Sequence, residues 1–500
     1  MIPKMLSFVV QVIATMLKFV IAYTLIFPSL TIVALFNEIC RIFVSLSLLW
    51  TKYRLFGFGL SNMFYLAGPF HGGLNLCVLV SQDEVDIEKE RSRFQRVLSQ
   101  QTKTGGKTFK RLTETLSCQQ GYGCWKHNGE NFDIRNHVKL YDLSKPGQGR
   151  DYFTQEELLD SIFTRLWQYM DCDDSQPEWE WLIVQRVLMP EGLRTMRIFR
   201  FHHAYMDGVT TAMLLSRGLM DQPSPPFVFD LTKQLPPWQT FMLLVSKVYA
   251  LLRVPYFLLE TFLHSQNNRN HLQKDPFLAV NSERKITMKV SSVVPVENLR
   301  QLKNKYDKTA SVTSIIASAA RSALALVAKQ KGVYNATMNL SVPLAVPVYP
   351  DISPRNRISF VKVHLPLDAE DEDELVQIPG ARDLLSAYFL LRWMDRFPRP
   401  VFNLFHKFQG GAFISTMFNN LPFLRNLGSI DGSVIEEVMV WPHPKKPVGL
   451  LITGVRYGDS IRFYSSTDDS VFSRDDAKLL LDAFTDELGV KEWENDYTKP

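Results

Sequence analysis

Net charge, cysteine and nucleotide-binding glycine patterns are all scarce in this 500-residue sequence, and each shortage removes a class of function. Fifty-six basic side chains against 51 acidic ones leave a net charge of +5, too little for a chain whose main partner is nucleic acid. Cysteine occurs five times, as Cys40, Cys77, Cys118, Cys124 and Cys172, and the odd number does not describe a disulfide framework. A reducing compartment fits that usage. Cys118 and Cys124 have no His or Cys at zinc-site spacing, so no metal is expected. No G-x-G-x-x-G or Walker sequence supports NAD or ATP chemistry, and no G-x-S-x-G elbow supplies a serine nucleophile. Charge is also nearly missing from one end, where Lys4, Lys18, Glu38 and Arg41 are the charged side chains of residues 1 to 51.

That end reads as a membrane anchor. Phe19 to Asn37 carries no charge and matches the roughly 20 residues that cross a bilayer core. Apolarity begins at Met5 and continues through Leu49 and Trp50, unlike the short apolar region of a cleaved signal peptide, so the anchor is expected to be retained. Lys18 can snorkel and Pro28 can kink the segment, which leaves a tilted single pass or a kinked double-pass hairpin. The basic residues around it (Lys4, Lys18, Arg41, Lys52, Arg54) place the large remainder in the cytosol by the positive-inside rule. The endoplasmic reticulum is the expected membrane, with the plasma membrane as the alternative. Sequons at Asn335 and Asn339 fall in what reads as a buried strand and are taken as chance.

The chain exceeds the roughly 250 to 300 residues at which one core stops growing, so two halves are expected behind the anchor. The boundaries read as 1–54 for the anchor, 55–221 for a first half, 222–280 for a linker and 281–500 for a second half. Thr154 and Glu157 form a capping box for a helix over 155–170. β-like runs at 181–188 and 193–201 flank Pro190-Glu191-Gly192, good hairpin chemistry, and a helix follows Gly208. Trp238 to Leu263 is apolar enough for an interfacial membrane helix or for a core helix pair broken at Pro255. The second half repeats the style, with strands near 285–290, 337–344 and 357–365, a long Ala-rich helix over 311–331, a hairpin turning at Gly458-Asp459, and a final helix over 474–488. Strands and helices interleaved at irregular spacing give an α/β or α+β fold with mixed sheets. The acidic run 368–374 and the basic residues Lys103, Lys107, Lys110 and Arg111 read as solvated.

His202-His203-Ala204-Tyr205-Met206-Asp207-Gly208 stands between a strand and a helix. A strand-end histidine fixed in one tautomer can take a proton from an alcohol; Asp207 can order the loop, and Gly208 can ease a tight start to the helix. In this context H-H-x-x-x-D-G resembles the superfamily of chloramphenicol acetyltransferase, carnitine acyltransferases and peptide-synthetase condensation domains. The chain is most similar to the wax ester synthase/diacylglycerol acyltransferase family. Phe132 to Val138 resembles that family's F-D-x-x-x-H-V segment, and Pro177-Glu178-Trp179 its P-L-W. Pro343 to Pro347 with Asn356 to Phe360 resembles P-V-x-x-R and N-R-x-S, and Asn419 to Pro422 stands in the place of N-V-P-G-P. Thr313-Ser314 replaces an Asn-Asp pair, and the glycine after Pro422 is lost.

The resemblance implies two chloramphenicol-acetyltransferase-like halves around a central tunnel. It implies direct transfer of a fatty acyl group from acyl-CoA to a long-chain alcohol or diacylglycerol, giving wax ester or triacylglycerol. His203 would be the general base, supported by Asp207 and His202, with Gly208, Asn356 and Ser359 as substrate-side candidates and Asn356 or Ser359 as oxyanion donors. Acyl-CoA would enter as substrate with no separate cofactor and no metal; the lipid bilayer, not nucleic acid, would be the other partner. The alternatives are another acceptor, such as a sterol, or a weak or inactive member that only binds acyl-CoA or lipid at a membrane.

Overall fold

The computed structural model describes residues 2–57, 60–66, 74–102, 105–128, 131–141, 152–168, 175–223, 236–267, 286–306, 310–333, 337–345, 353–367, 375–378, 380–403, 416–421, 427–443, 449–469 and 471–490. Cys172, Lys103, Asn335, Pro422 and the acidic run 368–374 lie outside them.

The first sheet grows from the hairpin Trp179–Met189 and Gly192–His202. Gly192 takes a φ of +110°, which glycine alone adopts without strain, and sets Met189 opposite itself and Trp179 opposite Phe201. Both strands are buried at most positions, so their sequences read as continuous apolar runs rather than alternation. Leu74–Ser81 pairs with the histidine strand, Leu74 opposite His202. Beyond it lies Ser433–Trp441, a strand drawn from the 281–500 segment, with Ser429–Ile430 outside that. Val138–Leu140 and Phe153–Thr154 run parallel to Trp179–Met189 and complete a mixed seven-stranded sheet.

The second sheet is also mixed and seven-stranded. Its order is Val294–Pro295, Ser460–Asp468, Leu450–Tyr457, Thr416–Leu421, Thr337–Ala345 and Ile358–Pro366, with Ile286–Val290 also paired to Ser460–Asp468. Thr416–Leu421 is parallel to both of its neighbours. Val312–Gln330 and Arg474–Glu487 pack one face, joining Leu340, Val361, Phe418, Ile452 and Phe463 in a single core. Serines cap both: Ser311 Oγ accepts from Ser314 N at 3.0 Å and Ser473 Oγ from Asp476 N at 3.1 Å. The expected capping box is present at Thr154, whose N–H donates to Glu157 Oε2 at 2.9 Å while its Oγ1 accepts from Glu157 N at 3.2 Å.

The N-terminal segment is one helix, through Ile2–Ile21, a π-helical turn Ala22–Ile26 and Phe27–Ser47. The kinked hairpin is thereby excluded: the chain does not reverse at Pro28. The π turn ends just before it, with the Phe27 N–H bonded to Ala22 O. Val9–Ser47 is long and apolar enough to cross a membrane, as is Pro237–Leu263. The latter belongs to Pro237–Asn267, which continues through Pro255, so the broken helix pair is also excluded. Ala250 and Val254 of this helix pack on Leu385, Tyr388, Leu390 and Met394 of Ala381–Met394, while Trp238, Phe241, Leu244 and Val248 are exposed. The two apolar helices touch, with Tyr23 Oη donating to Leu252 O at 3.0 Å and Lys18 lying 3.5 Å from Glu260.

Under the histidine strand, Arg197 Nε donates to Glu90 at 2.7 Å and its Nη1 to Ser81 Oγ at 2.6 Å, all fully buried. Arg197→Met, which strands the Glu90 carboxyl, is expected to cost about 3–5 kcal/mol, and adding Glu90→Leu to recover most of it. Urea unfolding of the detergent-solubilised protein measures this; a single variant as stable as wild type would refute it.

Candidate active site

The strand Gly192–His202 delivers the histidine pair at its C-terminal end, and a turn over 203–205 leads to helix Gly208–Met213. The two imidazoles have different surroundings. His202 is fully buried and its Nδ1 accepts from Ala204 N at 3.1 Å, which puts its proton on Nε2. His203 is half-buried, stacked on Phe64 with ring centroids 3.7 Å apart and planes 7° from parallel. Its Nδ1 lies 3.2 Å from Asn356 Oδ1. Asn356 Nδ2 donates to the carbonyls of His203 at 3.0 Å and Ala204 at 3.2 Å, and lies 3.3 Å from Ser61 Oγ. The amide orientation follows from those carbonyl acceptors, so Oδ1 is the acceptor facing the ring. The proton of His203 therefore sits on Nδ1, and Nε2 is the basic nitrogen.

Asp207 is fully buried. Oδ1 accepts from Thr210 N at 2.8 Å and Thr210 Oγ1 at 3.0 Å, capping the helix. Oδ2 accepts from Arg357 N at 2.7 Å, and Asp207 N donates to Arg355 O at 3.0 Å. The carboxylate thus ties the histidine loop to the segment that carries Asn356.

The structure brings His202, His203, Asp207, Gly208 and Asn356 together and turns Ser359 elsewhere. Ser359 Oγ donates to Leu384 O at 2.9 Å, so its single hydroxyl proton is committed to helix Ala381–Met394. Asn356 directs its amide protons at carbonyls. The candidate donors Asn356 and Ser359 are thus both bonded to protein carbonyls. Gly208 has no left-handed backbone, and a Cβ there would lie 3.5 Å from Leu421 Cδ2, an ordinary contact, so the tight start expected of it is not needed. Asn420 Nδ2 donates to Thr313 Oγ1 at 3.2 Å, joining two of the segments singled out by motif.

His137 of the early motif serves the fold. Its ring lies against both Phe132 and Trp179, its Nδ1 lies 2.7 Å from Trp179 O, and burial lowers its pKa. Arg111, expected to be solvated, instead lies within the body with its guanidinium 5.3 Å from the Trp125 ring, and burial lowers its pKa to about 10. Among the described residues no three His, Cys, Asp or Glu side chains gather as metal ligands.

Sequence reasoning missed Ser61 and Phe64, which reach the site on the short helix Ser61–Leu66. A six-residue helix cannot hold itself. Asn62 Nδ2 donates to Asp395 O at 2.6 Å and Phe397 O at 2.9 Å, its Oδ1 accepts from Gly123 N at 2.8 Å, and Met63 N donates to Asp395 Oδ1 at 2.6 Å. Burial pushes the Asp395 carboxyl up to about 8, opposed by the Met63 N–H and Arg41.

The profile of the wax ester synthase/diacylglycerol acyltransferase catalytic domain matches residues 62–367. Among solved structures, the wax ester synthase/diacylglycerol acyltransferase from Marinobacter aquaeolei VT8 is similar at 14% identity and a TM-score of 0.50, over 85% of this chain and 96% of that one. The first condensation domain of the calcium-dependent antibiotic synthetase gives 13% and 0.54, over 87% and 95%. A starter condensation domain of rhizomide synthetase, solved with C8-CoA, gives 11% and 0.51, over 89% and 96%. These likenesses establish the condensation-domain type of fold. No curated protein sequence matches.

Two outcomes are expected. Asn356→Ala, by freeing the imidazole, should lower kcat by up to about 100-fold with little change in substrate KM; steady-state kinetics on membranes would refute it if kcat held. Asp395 has a folded pKa above its unfolded value near 3.9, so its contribution is most favourable below pH ~4 and is lost as pH rises to about 8. Asp395→Asn keeps an acceptor for Met63 N–H, so its melting temperature relative to wild type should climb from pH 5 to 8 and level beyond 9. A pH-independent difference would refute the raised pKa.

Proposed function

The chain belongs to the wax ester synthase/diacylglycerol acyltransferase family, and from that premise we propose that it transfers a fatty acyl group from acyl-CoA to a long-chain alcohol or diacylglycerol at a membrane, with His203 as general base. The observation that carries this reading is the tautomer lock on His203. Asn356 holds the proton on Nδ1, so Nε2 can take the hydroxyl proton of the acceptor. The alkoxide oxygen then attacks the thioester carbonyl. As the tetrahedral intermediate collapses, the C–S bond breaks and the thiolate takes the proton back from Nε2, giving ester and free CoA. Asp207 acts at a distance by holding the histidine loop on the segment that bears Asn356.

Two further observations support the substrate class. A starter condensation domain of this fold was solved with C8-CoA bound, consistent with an acyl-CoA donor here. The apolar helices Val9–Ser47 and Pro237–Leu263 suit a protein whose acceptor and product both dissolve in a bilayer. On this reading the N-terminal helix anchors the chain to the endoplasmic reticulum, with the catalytic body on its cytosolic side.

Labelled palmitoyl-CoA given to membranes with hexadecanol or diacylglycerol tests this directly. Wild type should form labelled ester with at least one acceptor, and His203→Ala should lose about 100-fold or more of that rate while staying folded and membrane-bound. Equal turnover by His203→Ala would sink the general-base role. No ester from wild type with either acceptor would point to another acceptor, such as a sterol, or to a lipid-binding protein.

A further inference from the structure

The helix Phe27–Ser47 turns Asn37, Glu38 and Arg41 toward the protein body. Asn37 is buried; its Nδ2 donates to Arg396 O at 3.0 Å and its Oδ1 accepts from Tyr122 Oη at 3.0 Å. Arg41, also buried, donates to Phe56 O at 3.0 Å and Arg396 O at 3.4 Å, and its guanidinium lies 5.5 Å from the Tyr122 ring. Glu38 receives both a Nε and a Nη hydrogen bond from Arg396. On the same helix Leu35, Phe36 and Phe43 are exposed, so the apolar face serves the membrane while this polar face is bonded to the turn over 395–397 and to Tyr122 and Phe56, at the three-stranded sheet of Tyr53–Leu55, Tyr122–His127 and Glu114–Gln119.

That turn is also what holds helix Ser61–Leu66. Asn62 is bonded to the carbonyls of Asp395 and Phe397, on either side of the carbonyl that takes Asn37 and Arg41. The second route converges on the same place: Arg41 holds Phe56 O, Phe56 N donates to Gly123 O at 3.0 Å, and Gly123 N donates to Asn62 Oδ1 at 2.8 Å. From Asn62 one residue back leads to Ser61 against Asn356, and two residues on lead to Phe64 stacked on His203.

We propose that Asn37 and Arg41 of the N-terminal helix are positioning residues of the active site, seating helix Ser61–Leu66 so that Phe64 and Ser61 hold the His203–Asn356 pair. The anchor is then part of the catalytic machinery as well as its tether. A bond to lipid-facing helix would be useless for anchoring, because burying Asn and Arg in an otherwise apolar span costs insertion free energy that a pure tether would avoid. The inference rests on His203 being the site of chemistry, but the placement of its ring can be read without any turnover.

The test uses full-length protein in membranes, comparing wild type, Asn37→Leu and, as a milder variant, Tyr122→Phe, with Leu35→Ala on the exposed face as control. The first readout is the rate at which diethyl pyrocarbonate carbethoxylates His203, followed by mass spectrometry. Asn37→Leu should accelerate it several-fold, Tyr122→Phe less, and Leu35→Ala not at all. The second readout is ester synthesis, where Asn37→Leu should lower kcat by about tenfold with acyl-CoA KM unchanged. Unchanged His203 reactivity in folded, membrane-bound Asn37→Leu overturns the proposal, and if that variant fails to fold, unchanged reactivity in Tyr122→Phe does so. If wild type makes no ester but His203 reactivity still follows Asn37, the acyltransfer reading fails and this one stands.

Discussion

One carboxylate joins the histidine loop of the first sheet to the segment leading into Ile358–Pro366 of the second, at the point where the chemistry is expected. Asp207 caps helix Gly208–Met213 with one oxygen and holds the Arg357 backbone with the other, and it is buried from water while doing so. A buried carboxylate is tolerated only with its hydrogen bonds made, so the loop after the histidine strand and the segment bearing Asn356 must meet in this register or leave a charge stranded. The tautomer of His203 and the orientation of Asn356 follow from that meeting. A segment beside the second sheet thereby sets the tautomer of a histidine supplied by the first sheet.

What the sequence made legible was whatever depends on neighbours along the chain. The hairpin around Gly192, the capping box at Thr154 and Glu157, and the strand, turn and helix around His203 and Asp207 are local patterns, and each is present. The mixed-sheet α/β fold follows from the same interleaving. Contacts made at long range were not legible. Phe64 and Ser61 belong to a short helix whose place is decided by Asp395 and Phe397, and nothing in the local pattern marks them. Ser359 reads like a site residue in its motif, yet its hydroxyl turns to Leu384. The strand Ser433–Trp441 escaped notice because a bulge between Ile435 and Glu437 breaks the two-residue period by which strands are recognised.

The helices long and apolar enough to span a membrane share a frame with the candidate site. The N-terminal helix has one surface of exposed Leu, Ile and Phe and another of Asn37, Glu38 and Arg41 bonded to protein, while Pro237–Asn267 lies against both that helix and Ala381–Met394. The polar groups sit where partners exist and the apolar ones where none do, which is the partition expected of a chain solvated by lipid on one side and by its own body on the other.

The strand exchanged from the second half has a consequence for biosynthesis. Ser433–Trp441 covers the edge of Leu74–Ser81, yet roughly 350 residues separate Ser81 from Ser433, so at ribosomal rates of about 5–20 residues per second that edge stays open for tens of seconds. An apolar strand with unpaired backbone groups is a template for wrong pairings during that interval. The first sheet cannot be completed while the earlier residues emerge, and production in cells should depend on chaperones that shield this edge until Ser433–Trp441 arrives.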